Sequence, residues 1–254
     1  MITDTLKARL NLNAVLRNLE VLPELDTETQ AQIKDWDVSI RFWIKGDISP
    51  VLRFKEGRCY FEQEAQAASD VILFFMSPLQ LNNMFENKGN PIPLKGFTRL
   101  GFLKNEFAQL TQRLEYFLKP DQNTPRDDTY KRINTALSLY TAAYAAKELA
   151  ALDPVASIVA AQTPSGIVQI RILPEGPYAW ARYKDKGIVD CGRGEIKDAS
   201  AVLSFRNHEI ANAAFTGELD EFGSVALGDV ELRGMLPLID NTNLILDRIG
   251  TYLS

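Results

Sequence analysis

The chain has 254 residues, 46% of them hydrophobic and 24% charged, the balance of a globular protein rather than a disordered one. Its length suits one large domain or two of ordinary size. A net charge of −5 without a Lys/Arg-rich run argues against nucleic acid and anionic membrane surfaces as partners, unless a local patch forms on folding.

Leu6, Leu10, Leu16 and Leu19 fall near helical spacing and predict an opening helix. The same stretch lacks the continuous apolar core of a signal peptide, and no run reaches the length needed to cross a bilayer, so a cytoplasmic location is expected. Strands are predicted near 37–45, 50–55, 58–63 and 70–76. A helix follows at 78–87, with Pro78 just inside it and Ser77 as its cap. A short strand near 92–96 and a helix at about 103–118 complete the first half. KPDQNTPRDD, from Lys119 to Asp128, has the prolines and polar turn formers of a linker. Asp127 or Asp128 then caps a helix to about Leu152, with Ile133, Leu137, Tyr140, Tyr144 and Leu149 near helical spacing. The expected domains are 1–119 and 129–254, joined by 120–128.

The second half repeats the first. At a shift of 130 residues, Val38, Ile40 and Arg41 fall on Val168, Ile170 and Arg171, and Gly46 and Gly57 on Gly176 and Gly187. Leu73, Phe75, Asn82 and Phe85 fall on Leu203, Phe205, Asn212 and Phe215. PLKG (Pro93–Gly96) answers ELRG (Glu231–Gly234), and RLEYFL (Arg113–Leu118) answers RIGTYL (Arg248–Leu253). Two copies of one domain explain this better than one long domain. The meander of strands at the start of each copy implies a mainly antiparallel sheet with helices on one face.

SDVILFFMSPLQLNNMF, then IPLKG, then LKNEFAQLTQRLEYFL resembles the sterol carrier protein type 2 family, as does ASAVLSFRNHEIANAAFTGEL followed by VELRG and the helix to Leu253. Gly96 is not followed by Asp, Asn87-Lys88-Gly89 replaces a tidier turn, and the second copy carries an extra loop around Phe222 to Gly228. The resemblance implies an α+β fold of two tandem units, each a mainly antiparallel five-stranded sheet with helices packed on one face. It also implies a non-catalytic lipid carrier. The partner would be a hydrophobic small molecule, a fatty acid, acyl-CoA or sterol-like lipid, held in an apolar tunnel between the sheet and the C-terminal helices.

Residues that could carry chemistry are few. His208 is the single histidine, and a solvated surface role suits it better than a catalytic one. No His/Cys/Asp/Glu cluster has ligand spacing, so neither a metal nor another cofactor is expected. CGRGEIKD (Cys191–Asp198) lacks the strand–glycine–helix context of a phosphate cradle and reads as a strand connection. Asp35-Trp36-Asp37 and Glu218–Glu221 read as solvated charge. Cys59 and Cys191 are expected to be buried free thiols rather than a disulfide.

The informative feature is an excess of apolar side chains in the first copy. Ile72, Phe74 and Met76 face away from Val71, Leu73 and Phe75, so both faces of that strand are apolar. In the second copy Phe74 and Met76 become Ser204 and Arg206, and Leu81 and Met84 become Ala211 and Ala214. A tunnel is therefore placed in the first unit, in the region of Phe75, Met76, Leu81, Met84, Phe85, Phe97, Phe102, Phe107, Leu110 and Leu114. The alternative is a structural or interaction module of the same fold with filled cores, whose apolar faces join units or form a homodimer.

Overall fold

The protein is described by a computed structural model covering residues 2–64, 68–120, 124, 125 and 127–253, with the backbone alone for Ile2, Glu221 and Phe222. Contacts divide it into two compact units, Thr3–Thr124 and Pro125–Ser254. Positions 121–123 and 126 of the expected linker lie outside the described residues.

In the first unit α1 (Ile2–Leu10) continues through a π turn (Asn11–Val15) and a 3-10 turn (Leu16–Glu20) into α2 (Leu22–Leu25) and α3 (Thr27–Ile33). Leu6, Leu10, Leu16 and Leu19 are all buried, as their spacing requires. Strands β1 (Val38–Ile44), β2 (Val51–Lys55), β3 (Arg58–Glu62), β4 (Val71–Phe75) and β5 (Ile92–Lys95) form one sheet in the order β3-β2-β1-β4-β5. Three of its pairings are antiparallel, and β1 with β4 is parallel. A parallel pair needs a crossover, and here the β2–β3 hairpin and the segment to Val71 supply it. Helix α4 (Pro78–Phe85) follows β4, with the Ser77 hydroxyl accepting from the Gln80 N–H at 3.3 Å. After β5 the chain turns through a 3-10 turn (Phe97–Arg99), α5 (Leu100–Phe102) and a π turn (Leu103–Phe107) into α6 (Ala108–Leu118).

In the second unit α7 (Asp128–Leu152), capped by Asp127, leads through α8 (Pro154–Gln162) to β6 (Gly166–Ile172), β7 (Tyr178–Lys184), β8 (Gly187–Arg193) and β9 (Ala201–Phe205). α9 (His208–Thr216), α10 (Glu221–Ala226), β10 (Val230–Gly234), α11 (Leu236–Leu246) and α12 (Gly250–Leu253) complete it. The sheet order is β10-β9-β6-β7-β8, which read from β8 is the order of the first sheet. The extra segment of this half is not a loop: it contains the short helix α10, capped by Asp220. The fold is α+β, with two five-stranded sheets in which antiparallel pairs predominate and one pair in each is parallel.

The ladders refine the repeat. Phe205 answers Phe75 at 130 residues, but their parallel partners, Ile172 and Ile44, are 128 residues apart. Arg41 is thus matched by Gln169, not Arg171, because a slip of two residues keeps the alternation of a strand intact. At the hairpins the offset is one less than the sequence match: the turn residues Glu56 and Gly57 are answered by Asp185 and Lys186, all four at positive φ, so Gly57 is matched by Lys186 rather than Gly187. Gly46 and Gly176 lie in corresponding connections, two residues beyond Ile44 and four beyond Ile172. Gly96 and Gly234 do correspond. Both have positive φ, +88° and +86°, and both lie against the backbone just before the fourth strand, at Asp70 and Ser200.

Candidate functional site

The region to test is the layer between the first sheet and its C-terminal helix. One face of the sheet carries Ile40, Phe42, Leu52, Phe54, Leu73 and Phe75, all buried. The pairs Ile40–Leu52, Val38–Phe54 and Phe42–Leu73 place these side chains together across three strands. Phe107, Leu110 and Leu114 are buried along the helix. The Phe107 ring lies 6.3 Å from Phe54 and 6.4 Å from Phe42, so the helix wall meets the sheet there. The π turn before α6 matters for this wall. Its longer hydrogen-bond span changes the helical phase, and both Phe102 and Phe107, five residues apart, turn toward one aromatic group.

That group includes a ring set between two carboxylates that were expected to be solvated. Trp36 is half-buried, with its ring 5.1 Å from Phe54 and 4.7 Å from Phe102. Its neighbours Asp35 and Asp37 are exposed, as expected, and the flanking charge conceals the ring's role in the sequence.

The ten tunnel residues do not stay together. Phe75, Leu81, Phe107, Leu110 and Leu114 are buried, and Met84, Phe85 and Phe102 are half-buried. Met76 and Phe97 lie at the surface, 60% and 63% exposed. Met76 follows the last residue of β4, where its N–H bonds the Gln80 side chain at 2.8 Å. Phe97 follows Gly96, whose left-handed conformation carries the chain out of the sheet. The outer face of β4 is apolar as expected, yet it points away from the helices: Phe74 stacks edge-on with the exposed Trp43 at 5.1 Å.

In the second unit the corresponding layer is different. Ala179 and Ala181 lie on its inner face, and the alanine-rich α7 packs across β7 and β8. Tyr183 and Thr242, both buried, are joined by a hydrogen bond of 2.9 Å. Burial pushes the Tyr183 phenol up to about 12, against the bond to Thr242.

Each unit also contains an asparagine bridge, buried in the first unit and part-buried in the second. Asn11 donates to Asn82 at 3.1 Å and Asn82 to the Asp4 carbonyl at 2.9 Å, while Asn212 donates to Asn134 at 2.7 Å and Thr135 at 3.1 Å. Each also contains a buried carboxylate clasp. Asp26 caps α3 at Thr29 and receives Arg113 through two bonds of 3.0 and 2.9 Å. Asp153 caps α8 at Val155 and Ala156 and receives Arg248 at 3.2 Å and the Tyr252 hydroxyl at 2.6 Å. Burial raises both carboxyls, but the bonds outweigh it and hold both below the usual range. The recurrence of Asn82 at Asn212 and of Arg113 at Arg248 was the sequence signal for these groups.

His208 begins α9 half-buried, and burial together with nearby Arg132 holds its imidazole below the ordinary value. The amides of Gly194 and Ile196, which a phosphate cradle would need, already bond the Tyr178 carbonyl at 2.7 Å and the Gln169 side chain at 2.7 Å. Cys59 is buried and its thiol is pushed well up by desolvation, while Cys191 is half-buried rather than buried; neither is in a disulfide. Among the described residues no group of His, Cys, Asp or Glu is placed to hold a metal ion, and no helix is long and apolar enough to cross a membrane.

No family model matches the chain, and no curated protein matches it. Solved structures do. The chain is similar to sterol carrier protein 2 like 2 from Aedes aegypti, with 19% identity over 43% of this chain and 94% of that one and a TM-score of 0.30. It is similar to sterol carrier protein 2 of Aedes aegypti, solved in complex with the C16 fatty acid palmitate, with 20% identity over 44% and 94% of the two chains and a TM-score of 0.31. Domain 2 of the sterol carrier protein of Helicoverpa armigera gives 14% identity over 46% and 91% and a TM-score of 0.33. Each of these matches spans less than half of this chain.

Proposed function

We propose that this chain is a non-catalytic lipid-binding protein of two tandem sterol-carrier-like units, a carrier or presenter of a fatty-acyl, acyl-CoA or sterol-like ligand. The ligand lies in the first unit, between the sheet face of Phe54 and Phe75 and the wall of Phe107, Leu110 and Leu114. One observation carries the reading: the side chains on both sides of this layer are apolar, whereas a buried tyrosine–threonine hydrogen bond crosses the corresponding layer of the second unit. An apolar ligand needs no directional contact in such a layer, since each buried methylene contributes about 0.8 kcal/mol. We place the protein in the cytoplasm, where thiols outside disulfides, such as Cys59 and Cys191, persist.

A second reading is favoured by the ring contacts themselves. Trp36 meets Phe54 and Phe102, and Phe54 meets Phe107, a chain of ring contacts such as a filled core of a structural or dimer-forming module would have. Native mass spectrometry of protein purified from cells separates the two: a retained lipid supports the first, and a bare dimer supports the second. Met84→Trp and Leu110→Trp should then block uptake of a fluorescent fatty acid while circular dichroism stays unchanged, and Ala214→Trp should not. Loss of uptake in Ala214→Trp alone would move the site to the second unit.

A further inference from the structure

The segment from Asn87 to Asn105 is locally basic although the chain is acidic. It contains Lys88, Lys95, Arg99 and Lys104 and no Asp or Glu. Lys95, Arg99 and Lys104 are exposed. Leu94, just before Lys95, is 47% exposed, and Phe97, between Lys95 and Arg99, is 63% exposed. The patch is built on β5, at the edge of the first sheet, and on the turn of helix that follows it. Lys88 is paired with Glu86 at 2.8 Å, and Lys95 donates to the Ser69 carbonyl at 2.6 Å. Asp70, held by Ser39, is the acid that lies near Lys95 and Arg99. Glu106, exposed two residues beyond Lys104, is a third nearby acid, so four bases against Glu86, Asp70 and Glu106 leave an excess of one positive charge.

We infer that this edge of the first unit docks on an anionic lipid surface, with Phe97 and Leu94 inserted among the headgroups and Arg99 and Lys104 against their phosphates or carboxylates. Charge complementarity selects this occupant. An exposed aromatic ring flanked by basic side chains suits the interface of a bilayer, where apolar area and electrostatic attraction act together. A further β-strand is a poorer occupant of this edge, because Pro93, with Pro91 just before it, offers no N–H for pairing. The second unit supplies an internal contrast. Leu232 and Met235 are exposed at its edge strand β10, but the neighbouring charges are Glu231 and Arg233, which pair with each other at 2.6 Å. The inference goes beyond the lipid-binding reading and does not rest on it, since docking needs no ligand inside the unit.

The test is co-sedimentation of the full chain with vesicles of phosphatidylcholine alone and of phosphatidylcholine mixed with phosphatidylserine. Binding is expected to the mixed vesicles and to weaken as salt is added. Arg99→Gln with Lys104→Gln should lower it about 25-fold, about fivefold for each charge near an anionic surface. Phe97→Ser should lower it roughly tenfold. Lys184→Gln with Lys197→Gln, exposed charges of the second unit, should leave it unchanged. All of these positions are exposed, and circular dichroism checks that the variants fold. Failure to sediment with mixed vesicles, equal binding to neutral ones, or a double variant that binds like the parent would overturn the inference. So would a change of dimerisation, rather than of vesicle binding, in the Phe97 variant; the occupant would then be a second copy. None of these outcomes depends on whether a fatty acid is taken up.

Discussion

Tyr183 and Thr242 share a buried hydrogen bond of 2.9 Å where the first unit sets the ring of Phe54 6.3 Å from that of Phe107. Tyr183 stands beside the β7–β8 turn as Phe54 does beside the β2–β3 turn, and Thr242 and Phe107 each lie six residues before the recurring arginine, Arg248 or Arg113. The direction of the bond follows from proton count. Thr242 gives its proton to the Leu238 carbonyl at 2.7 Å, so Tyr183 is the donor.

Replacing Tyr183 by Phe leaves the Thr242 donor satisfied and should cost about 1 kcal/mol in urea unfolding. A phenol held up to about 12 favours the folded state only while it stays protonated. Stability from this group is complete below about pH 10, the unfolded value, and is lost as pH rises toward the folded one. Tyr183→Phe should remove that alkaline slope. A variant with the parent's slope would show that another group causes it.

The two carboxylate clasps predict the acid side. Asp26 and Asp153 are held below their usual range in the folded state, while the unfolded chain titrates near 3.9. The unfolded state therefore takes up protons first as pH falls. The clasps stabilise fully above about pH 4 and lose their effect as pH drops through the folded values. Asp26→Asn and Asp153→Asn should each lower stability at neutral pH by about 2 kcal/mol and flatten the acid limb of a thermal-melting profile. Because Asp153 also accepts from Tyr252 and Arg248, Tyr252→Phe should lower stability without abolishing the limb.

Two glycines of the second unit, Gly234 at the end of β10 and Gly217 just after α9, give a contrast that isolates close packing from backbone conformation. Gly234 and Gly217 have similar positive φ, +86° and +75°. A methyl group at Gly234 would run into the Ser200 carbonyl, whereas at Gly217 it would meet nothing within 4 Å. Gly217→Ala should cost about 1 kcal/mol, the conformational penalty alone. Gly234→Ala should cost clearly more and should disturb the β9–β10 pairing, seen as faster amide exchange along β10. Equal losses would mean that the backbone at Gly234 relaxes freely.

The α+β pattern, the strand alternation and the caps at Ser77 and Asp127 were legible because each depends on residues adjacent in sequence. The repeat was legible only to within its phase. A shift by two residues moves Arg41 from Gln169 to Arg171 without changing which face of the strand is apolar, so hydrophobic periodicity could not detect it. The surface positions of Met76 and Phe97 were hidden for a related reason. Apolar character says that a residue can be buried, but the chain direction after Phe75 and Gly96 decides whether it is. The Asp26–Arg113 and Asn11–Asn82 contacts join residues 87 and 71 positions apart, a separation with no local period to read.

The corrected turn equivalence yields the last prediction. Glu56-Gly57 and Asp185-Lys186 are two-residue hairpin turns with both residues at positive φ, at 54° and 70° and at 52° and 68°. That geometry is the mirror-image type I turn, which matches strand twist and favours glycine at its second position. The first unit has glycine there, and the second has Lys186, whose Cβ makes the left-handed conformation unfavourable by about 1 kcal/mol. Lys186 is exposed and its side chain has room, so the backbone conformation is the quantity that a substitution changes. Lys186→Gly should therefore stabilise the second unit by several tenths of a kcal/mol up to about 1 kcal/mol, less the entropy that glycine adds to the unfolded chain. Gly57→Lys should destabilise the first unit by a similar amount. Both are read from urea midpoints at constant m-value. If Lys186→Gly destabilises instead, the Asp185-Lys186 turn is held by its side chains rather than tolerated by its backbone, and the equivalence with Glu56-Gly57 fails.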